Sequence, residues 1–175
     1  YLSQLASHAE SHGTGHVATV TGRYYAMDRD QNWERTRRAY DAVVDADGEH
    51  HVETPVSAAT ESYARHTTHE FIEPTVVGDY EGMADGDAAV FFNFRSDRAR
   101  QLTRLLADID PEAWGADTSP PDTRLVTMTQ YDATFDVPVA FPPNQPEHTY
   151  GEVLSEAGLT QLRLAESEKY PHVTY

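Results

Sequence analysis

The sequence predicts an α/β protein with a mainly parallel sheet covered by helices. Three observations carry this expectation. Apolar, β-prone runs alternate with stretches of helical periodicity along the whole chain. Hairpin signals between successive strands are absent. The most apolar run, Ala88 to Phe94, is nearly continuous, as suits a parallel strand covered on both faces.

Residues 1 to about 12 have Leu2, Leu5, Ala6 and Ala9 at helical spacing and end at Gly13. Gly13-Thr14-Gly15 follows a helix and precedes a strand, the reverse of a dinucleotide fingerprint, so both glycines are read as a helix stop and turn. A strand is expected at 16–21. Next comes a loop holding Arg23 and Arg29, at a strand-to-helix junction where open α/β sheets bind ligands. Asp30 is the expected N-cap of a helix with Trp33, Tyr40 and Val44 on its inner face. Arg35, Arg37 and Arg38 are assigned to its solvated face. Residues 45–55 read as a turn-rich connection and 57–66 as a short helix. His50, His51, His66 and His69 read as exposed histidines rather than metal ligands, because no second matched cluster accompanies them. Phe71 to Val77 is β-prone, and Pro74 argues for an edge strand or a loop entry.

The second half repeats the pattern. After the strand at 88–94, Arg95 and Arg98 lie in a short polar turn, and Leu102, Leu105, Leu106 and Ile109 mark a helix that stops before Pro111. Arg98 falls in the first turn of that helix, where the dipole disfavours a cation and a bound anion would offset the cost. Asp117 to Asp122 reads as a loop, Arg124 to Thr129 as a strand, and Pro142 to Pro146 as a stiff, polar linker. A helix at 150–158, a strand at 162–165, a loop at 166–170 and a last strand at 172–175 complete the expected order.

Charge narrows the function classes. Among 175 residues, 29 are acidic and 13 basic, a net charge of −16, with Lys169 the single lysine. Such a surface repels nucleic acid and anionic lipid, so neither is expected as a partner. It also suits a high-salt cytoplasm, where counterions screen self-repulsion, and the protein is read as halophilic and cytoplasmic. Nine of the twelve arginines fall within residues 23–38 and 95–104, so positive charge is concentrated where the two loops lie. The absence of cysteine excludes a disulfide frame and a thiolate nucleophile. No signal peptide, long apolar run or lipidation motif points to a membrane. The first and last residues fall inside patterned segments, so the chain is expected to be part of a larger protein.

Four stretches carry a resemblance: Gly22-Arg23-Tyr24-Tyr25-Ala26-Met27-Asp28-Arg29-Asp30, Phe91 to Gln101, Tyr131-Asp132, and Glu168-Lys169-Tyr170-Pro171-His172-Val173-Thr174. In sequence and order they resemble the cofactor-independent phosphoglycerate mutase family. The resemblance implies a substrate-binding α/β domain at 1–141, normally inserted in an alkaline-phosphatase-like domain. It also implies a linker at 142–149 and the start of the returning phosphatase domain at 150–175. It implies isomerisation of 3-phosphoglycerate and 2-phosphoglycerate through a phosphoserine, with two divalent ions, manganese in particular. Matched position by position, Arg23, Arg29, Arg95 and Arg98 would hold the substrate's carboxylate and phosphate, and Lys169 would face the transferring phosphoryl group.

No segment matches the family's serine nucleophile or its metal-binding aspartates and histidines. The resemblance therefore implies no catalytic nucleophile and no bound metal in this fragment, and no turnover by it alone. Ser3, Ser57 and Ser119 are not promoted to that role, and Ser96 stands where many relatives carry proline. The alternative function is a non-catalytic module that binds a phosphorylated acid or another anion. A purely structural reading pairs the arginines with nearby carboxylates, although surface pairs contribute only ~0–1 kcal/mol each.

Overall fold

The computed structural model describes residues 1–111, 118–144, 146–169 and 173, with Glu168 described by its backbone alone. Contacts divide the chain into two units, Tyr1–Pro142 and Pro143–Tyr175. Helix α1 (Leu2–His12) opens the first unit and ends at Gly13, whose φ of 62° is left-handed. That conformation turns the Gly13 and Thr14 N–H groups back onto the Glu10 and Ala9 carbonyls. None of its residues is fully buried, and Leu5 remains half exposed despite its place in the apolar spacing.

Strand β1 (Thr19–Val20), helix α2 (Arg23–Ala26), helix α3 (Trp33–Val44), strand β2 (His50–Val52), helix α4 (Pro55–Ala64) and strand β3 (Thr75–Val77) follow. The strands form a sheet in the order β1-β3-β2, with β1 antiparallel and β2 parallel to β3. Strand β4 (Ala88–Phe91), helix α5 (Arg100–Leu106), strand β5 (Arg124–Thr129) and strand β6 (Val139–Phe141) form the second half, where β4-β5-β6 is all parallel. The α/β class and the predominance of parallel pairing follow the sequence expectation.

The core that matters for function lies between α3 and α5. Tyr40 and Val44 of α3 pack against Leu102 and Leu105 of α5, with Trp33, Met83 and Phe91 around them. A smaller cluster, Val52, Ala58 and Val77, seats α4 on the first sheet. Because each arginine loop leads into one of the two packed helices, burying their apolar faces also draws the loops together. Leu105 is almost fully enclosed, and its truncation to alanine would cost about 2–5 kcal/mol.

Several local expectations are corrected. The loop after β1 contains the one-turn α2, and Asn32 rather than Asp30 is the N-cap of α3. The left-handed Gln31, at φ 62°, displaces the helix start by two residues. The 45–55 connection contains β2, a strand too short to leave a hydrophobic period. Of the two roles expected of Pro74, the structure shows the loop entry and not the edge strand: it ends the loop before the ladder of the central β3 begins, so no hydrogen bond of β3 is lost.

The apolar run from Ala88 ends as a strand at Phe91, and Val90 and Phe92 are largely exposed, so β4 is covered on one face in this chain. Arg98 precedes α5 in a 3-10 turn, Ser96–Arg98. Residues 112–117 of the expected helix-to-strand connection lie outside the described residues.

In the second unit Thr149 caps helix α6 (Tyr150–Glu156) through a reciprocal box with Glu152. Residues 162–165 form no strand, because no described neighbour supplies a ladder, and Leu162 and Leu164 are exposed. Ser167–Lys169 is a 3-10 turn. The strand expected at 172–175 lies outside the described residues except for Val173. No helix among the described residues is long and apolar enough to cross a membrane.

Candidate functional site

The first arginine loop begins where the chain leaves β1. Gly22 donates its N–H to the Ile72 carbonyl at 2.8 Å. A Cβ built on Gly22 would stand 2.4 Å from the Glu70 oxygen and 2.6 Å from the Ile72 nitrogen, so only glycine permits this approach. The chain then turns through α2, which fixes Arg23, and reaches Asp28 and Arg29. Asp28 is 5% exposed. Burial works against its charge, but bonds from the Asn32 side chain and N–H, the Gln101 amide and the Asp30 N–H outweigh it and hold its pKa below the ordinary carboxylate value.

The second loop rests on Tyr131. This buried side chain directs its hydroxyl to the carbonyls of Phe91 and Asn93, at 3.0 and 2.5 Å, where β4 ends. The Arg100 guanidinium donates to the Tyr131 carbonyl at 2.7 Å. Asn93 accepts the Arg95 N–H at 3.0 Å, and the chain enters the turn that carries Asp97 and Arg98.

The loops meet through their functional side chains. Asp97 accepts from Arg29 at 2.9 Å and from Arg95 at 2.7 and 3.2 Å. Burial would raise its pKa, but the two guanidinium groups prevail and bring it to about 2. Arg98 donates to the Met27 carbonyl at 2.9 Å. Its own pKa is pushed down, first by burial and then by the charges of Arg23 and Arg29. Its Nε is buried with no hydrogen-bond partner among the described residues.

A cleft of about 150 Å³ opens here, lined by Arg23, Met27, Arg35, Glu70 and Arg98 among others. Four guanidinium groups thus share one locality with Asp97, and with Glu70 at a loose 3.9 Å from Arg23. Asp28 and Asp30 line the cleft as well, so with Arg35 five guanidinium groups face four carboxylates, and the locality keeps a small net positive charge in a chain of −16. A ligand carrying phosphate and carboxylate would relieve that repulsion and could take paired N–H donors from planar guanidiniums.

The structure therefore brings Arg23, Arg29, Arg95 and Arg98 together. Lys169 belongs to the second unit, at the end of its 3-10 turn. The assignment of Arg37 and Arg38 to the helix surface agrees with their pairing to Asp41 and Glu49. Arg35 departs from it: its guanidinium lies 3.9 Å from the Tyr24 ring centroid and 3.6 Å from Asp28, and it lines the cleft. Helical periodicity could not reveal this, because the ring and carboxylate that receive Arg35 arrive from the preceding loop. Asp28, Asp97, Gln101 and Tyr131 also shape the site; their one sequence signal was membership of the motif stretches.

Comparison with known proteins shows which family the chain is similar to. The family model described as the BPG-independent phosphoglycerate mutase (PGAM) N-terminus matches residues 1–133. The 2,3-bisphosphoglycerate-independent phosphoglycerate mutases of Haloarcula marismortui, Halobacterium salinarum and Moorella thermoacetica are 77%, 60% and 50% identical to it, each along 100% of this chain. The chain spans 34%, 35% and 35% of those proteins, about a third of their length. Its fold matches a crystal structure of Leishmania mexicana phosphoglycerate mutase at low cobalt concentration, with a TM-score of 0.71 and 27% identity over 99% of this chain and 34% of that one. The halophilic reading of the acidic composition fits relatives from salt-loving archaea. Matched by the family model through most of its first unit and by these relatives along its whole length, the chain belongs to the BPG-independent phosphoglycerate mutase family and corresponds to part of its N-terminal region.

Proposed function

We propose that this chain is the substrate-binding part of a cytoplasmic mutase that interconverts 3-phosphoglycerate and 2-phosphoglycerate through a phosphoserine, with the nucleophile outside this chain. The observation that supports the reading is the gathering of Arg23, Arg29, Arg95 and Arg98, from two strand-to-helix loops, around one cleft: Arg23 and Arg98 line it, and Arg29 and Arg95 meet on Asp97 beside it. In a high-salt cytoplasm the Debye length shrinks to about 3 Å, so long-range steering is lost and contact hydrogen bonds must hold the substrate. Guanidinium groups supply these better than ammonium groups do.

In such a reaction glycerate must stay bound while the phosphoryl group rests on serine, and must then present its other hydroxyl. The arginine cluster would hold the carboxylate throughout, while closure of the site excludes water. Arg23, Arg29, Arg95 and Arg98 are assigned to the substrate, and Lys169 to the phosphoryl side. The resemblance matches no segment of this chain to the family's metal-binding aspartates and histidines. Two divalent ions, with manganese the proposed species, are therefore assigned to the rest of a full-length enzyme.

The test is mutase activity with 3-phosphoglycerate. The chain alone is expected to give no turnover. A full-length mutase carrying it should turn over, lose activity in Arg29→Ala or Arg95→Ala, and release more free phosphate per isomerisation in Arg98→Ala. Turnover by the chain alone, or unchanged kinetics in the arginine variants, would overturn the reading.

A further inference from the structure

Gln101 lies in the first turn of α5, one residue after Arg100, and is 6% exposed. An amide buried in a helix could satisfy itself on a single neighbour. Gln101 instead spends its whole amide on the other half of the unit. Its Nε2 donates to Asp28 and to Thr36, both at 2.9 Å, and its Oε1 accepts the Gln31 N–H at 2.9 Å. The Gln31 bond falls at a strained point of the backbone, since Gln31 has a left-handed φ of 62° without being glycine.

Asp28 completes the junction. Its Oδ2 also receives the N–H groups of Asp30 and Asn32, at 3.1 and 2.8 Å, and its Oδ1 receives the Asn32 amide at 2.9 Å. Arg29 is the next residue along the chain, and Gln101 stands three residues beyond Arg98. The buried bond therefore joins the two loops beside the arginines, with Asp28 itself among the residues that line the cleft. The other links between the loops, the part-buried Arg29 to Asp97 and the exposed Arg98 to the Met27 carbonyl, use guanidinium groups that an anionic ligand would compete for. The Gln101–Asp28 link uses none, so it can persist when the cleft is filled.

We propose that Gln101 and Asp28 are positioning residues: their buried hydrogen bond sets the register of the two arginine loops, so that a ligand spanning both meets its donors already aligned. This deepens the proposed function and rests on it. A fully satisfied amide–carboxylate bond fixes geometry well, because the alternative leaves a buried charge with one donor fewer.

The experiment compares two ligands on the 175-residue chain in molar KCl. Calorimetric titration is made with 3-phosphoglycerate, long enough to reach both loops, and with inorganic phosphate, which one loop can hold. Gln101→Leu should weaken 3-phosphoglycerate about tenfold, the equivalent of one charge-assisted hydrogen bond, and change phosphate binding by less than about twofold. In an Arg29→Ala background the same substitution should change 3-phosphoglycerate affinity little, since the misplaced partner is already gone.

Asp28→Asn, matched in volume, should repeat the pattern if Gln101→Leu does not fold. A variant that melts earlier yet binds both ligands as the wild type does, or loses both equally, would overturn the positioning role. A wild-type chain that binds neither ligand would instead refute the proposed function.

Discussion

Replacing Asp97 with asparagine tests the electrostatics of the cluster. The carboxylate is gripped by Arg29 and Arg95, which bring its pKa from 3.8 to about 2 against the effect of burial. A shift of that size corresponds to ~2.4 kcal/mol if all of it stabilises the fold. The side chain is 28% exposed, so screening reduces the usable part to about 1 kcal/mol.

The folded pKa lies below the unfolded one. The contribution is therefore complete above about pH 4 and is lost as the pH falls through 2; near pH 3 about half remains. Asp97→Asn should lower unfolding stability by about 1 kcal/mol at pH 7, a shift of roughly 2–4 °C in Tm for a unit of this size. The difference should shrink to about half at pH 3. Urea unfolding of both proteins at the two pH values, in the same molar KCl, gives the numbers. An equal difference at both pH values would refute the ionic account, and so would no difference at pH 7.

Three further outcomes follow from the structure. Gly22→Ala should destabilise the first unit by about 1–3 kcal/mol, because the new Cβ meets the Glu70 and Ile72 backbone, which cannot yield as a side-chain tip could; chemical denaturation measures it. Tyr131→Phe should cost about 1 kcal/mol by removing the hydroxyl from the Phe91 and Asn93 carbonyls, and should raise KM for 3-phosphoglycerate in a full-length mutase more than it lowers kcat. Transfer from molar to millimolar KCl should reduce helical ellipticity as self-repulsion among 29 acidic residues is unscreened; unchanged ellipticity would contradict the halophilic reading.

Particular residues explain what could be read from the chain and what could not. The α/β class was legible because α3 and α5 show their apolar periods plainly in Tyr40, Val44, Leu102 and Leu105, the side chains that form the core. The four arginines were legible because the acidic composition leaves so few cations elsewhere. Gln31 was not: its left-handed turn donates its N–H to Gln101, seventy residues away, and the helix that follows starts at Asn32 rather than Asp30. Arg35 was hidden by its own helix, since periodicity places it on the surface while Tyr24 and Asp28 fold over to receive it. Residues 162–165 have the composition of a strand, but a strand also needs a partner, and composition does not supply one.

Whether the four arginines form one binding site is tested most simply by direct titration of the 175-residue chain with 3-phosphoglycerate in molar KCl. Saturable binding of one ligand per chain is expected, weakened at least about tenfold by Arg29→Ala and again by Arg98→Ala, each removing a charge-assisted hydrogen bond. Binding that survives both substitutions unchanged would contradict it.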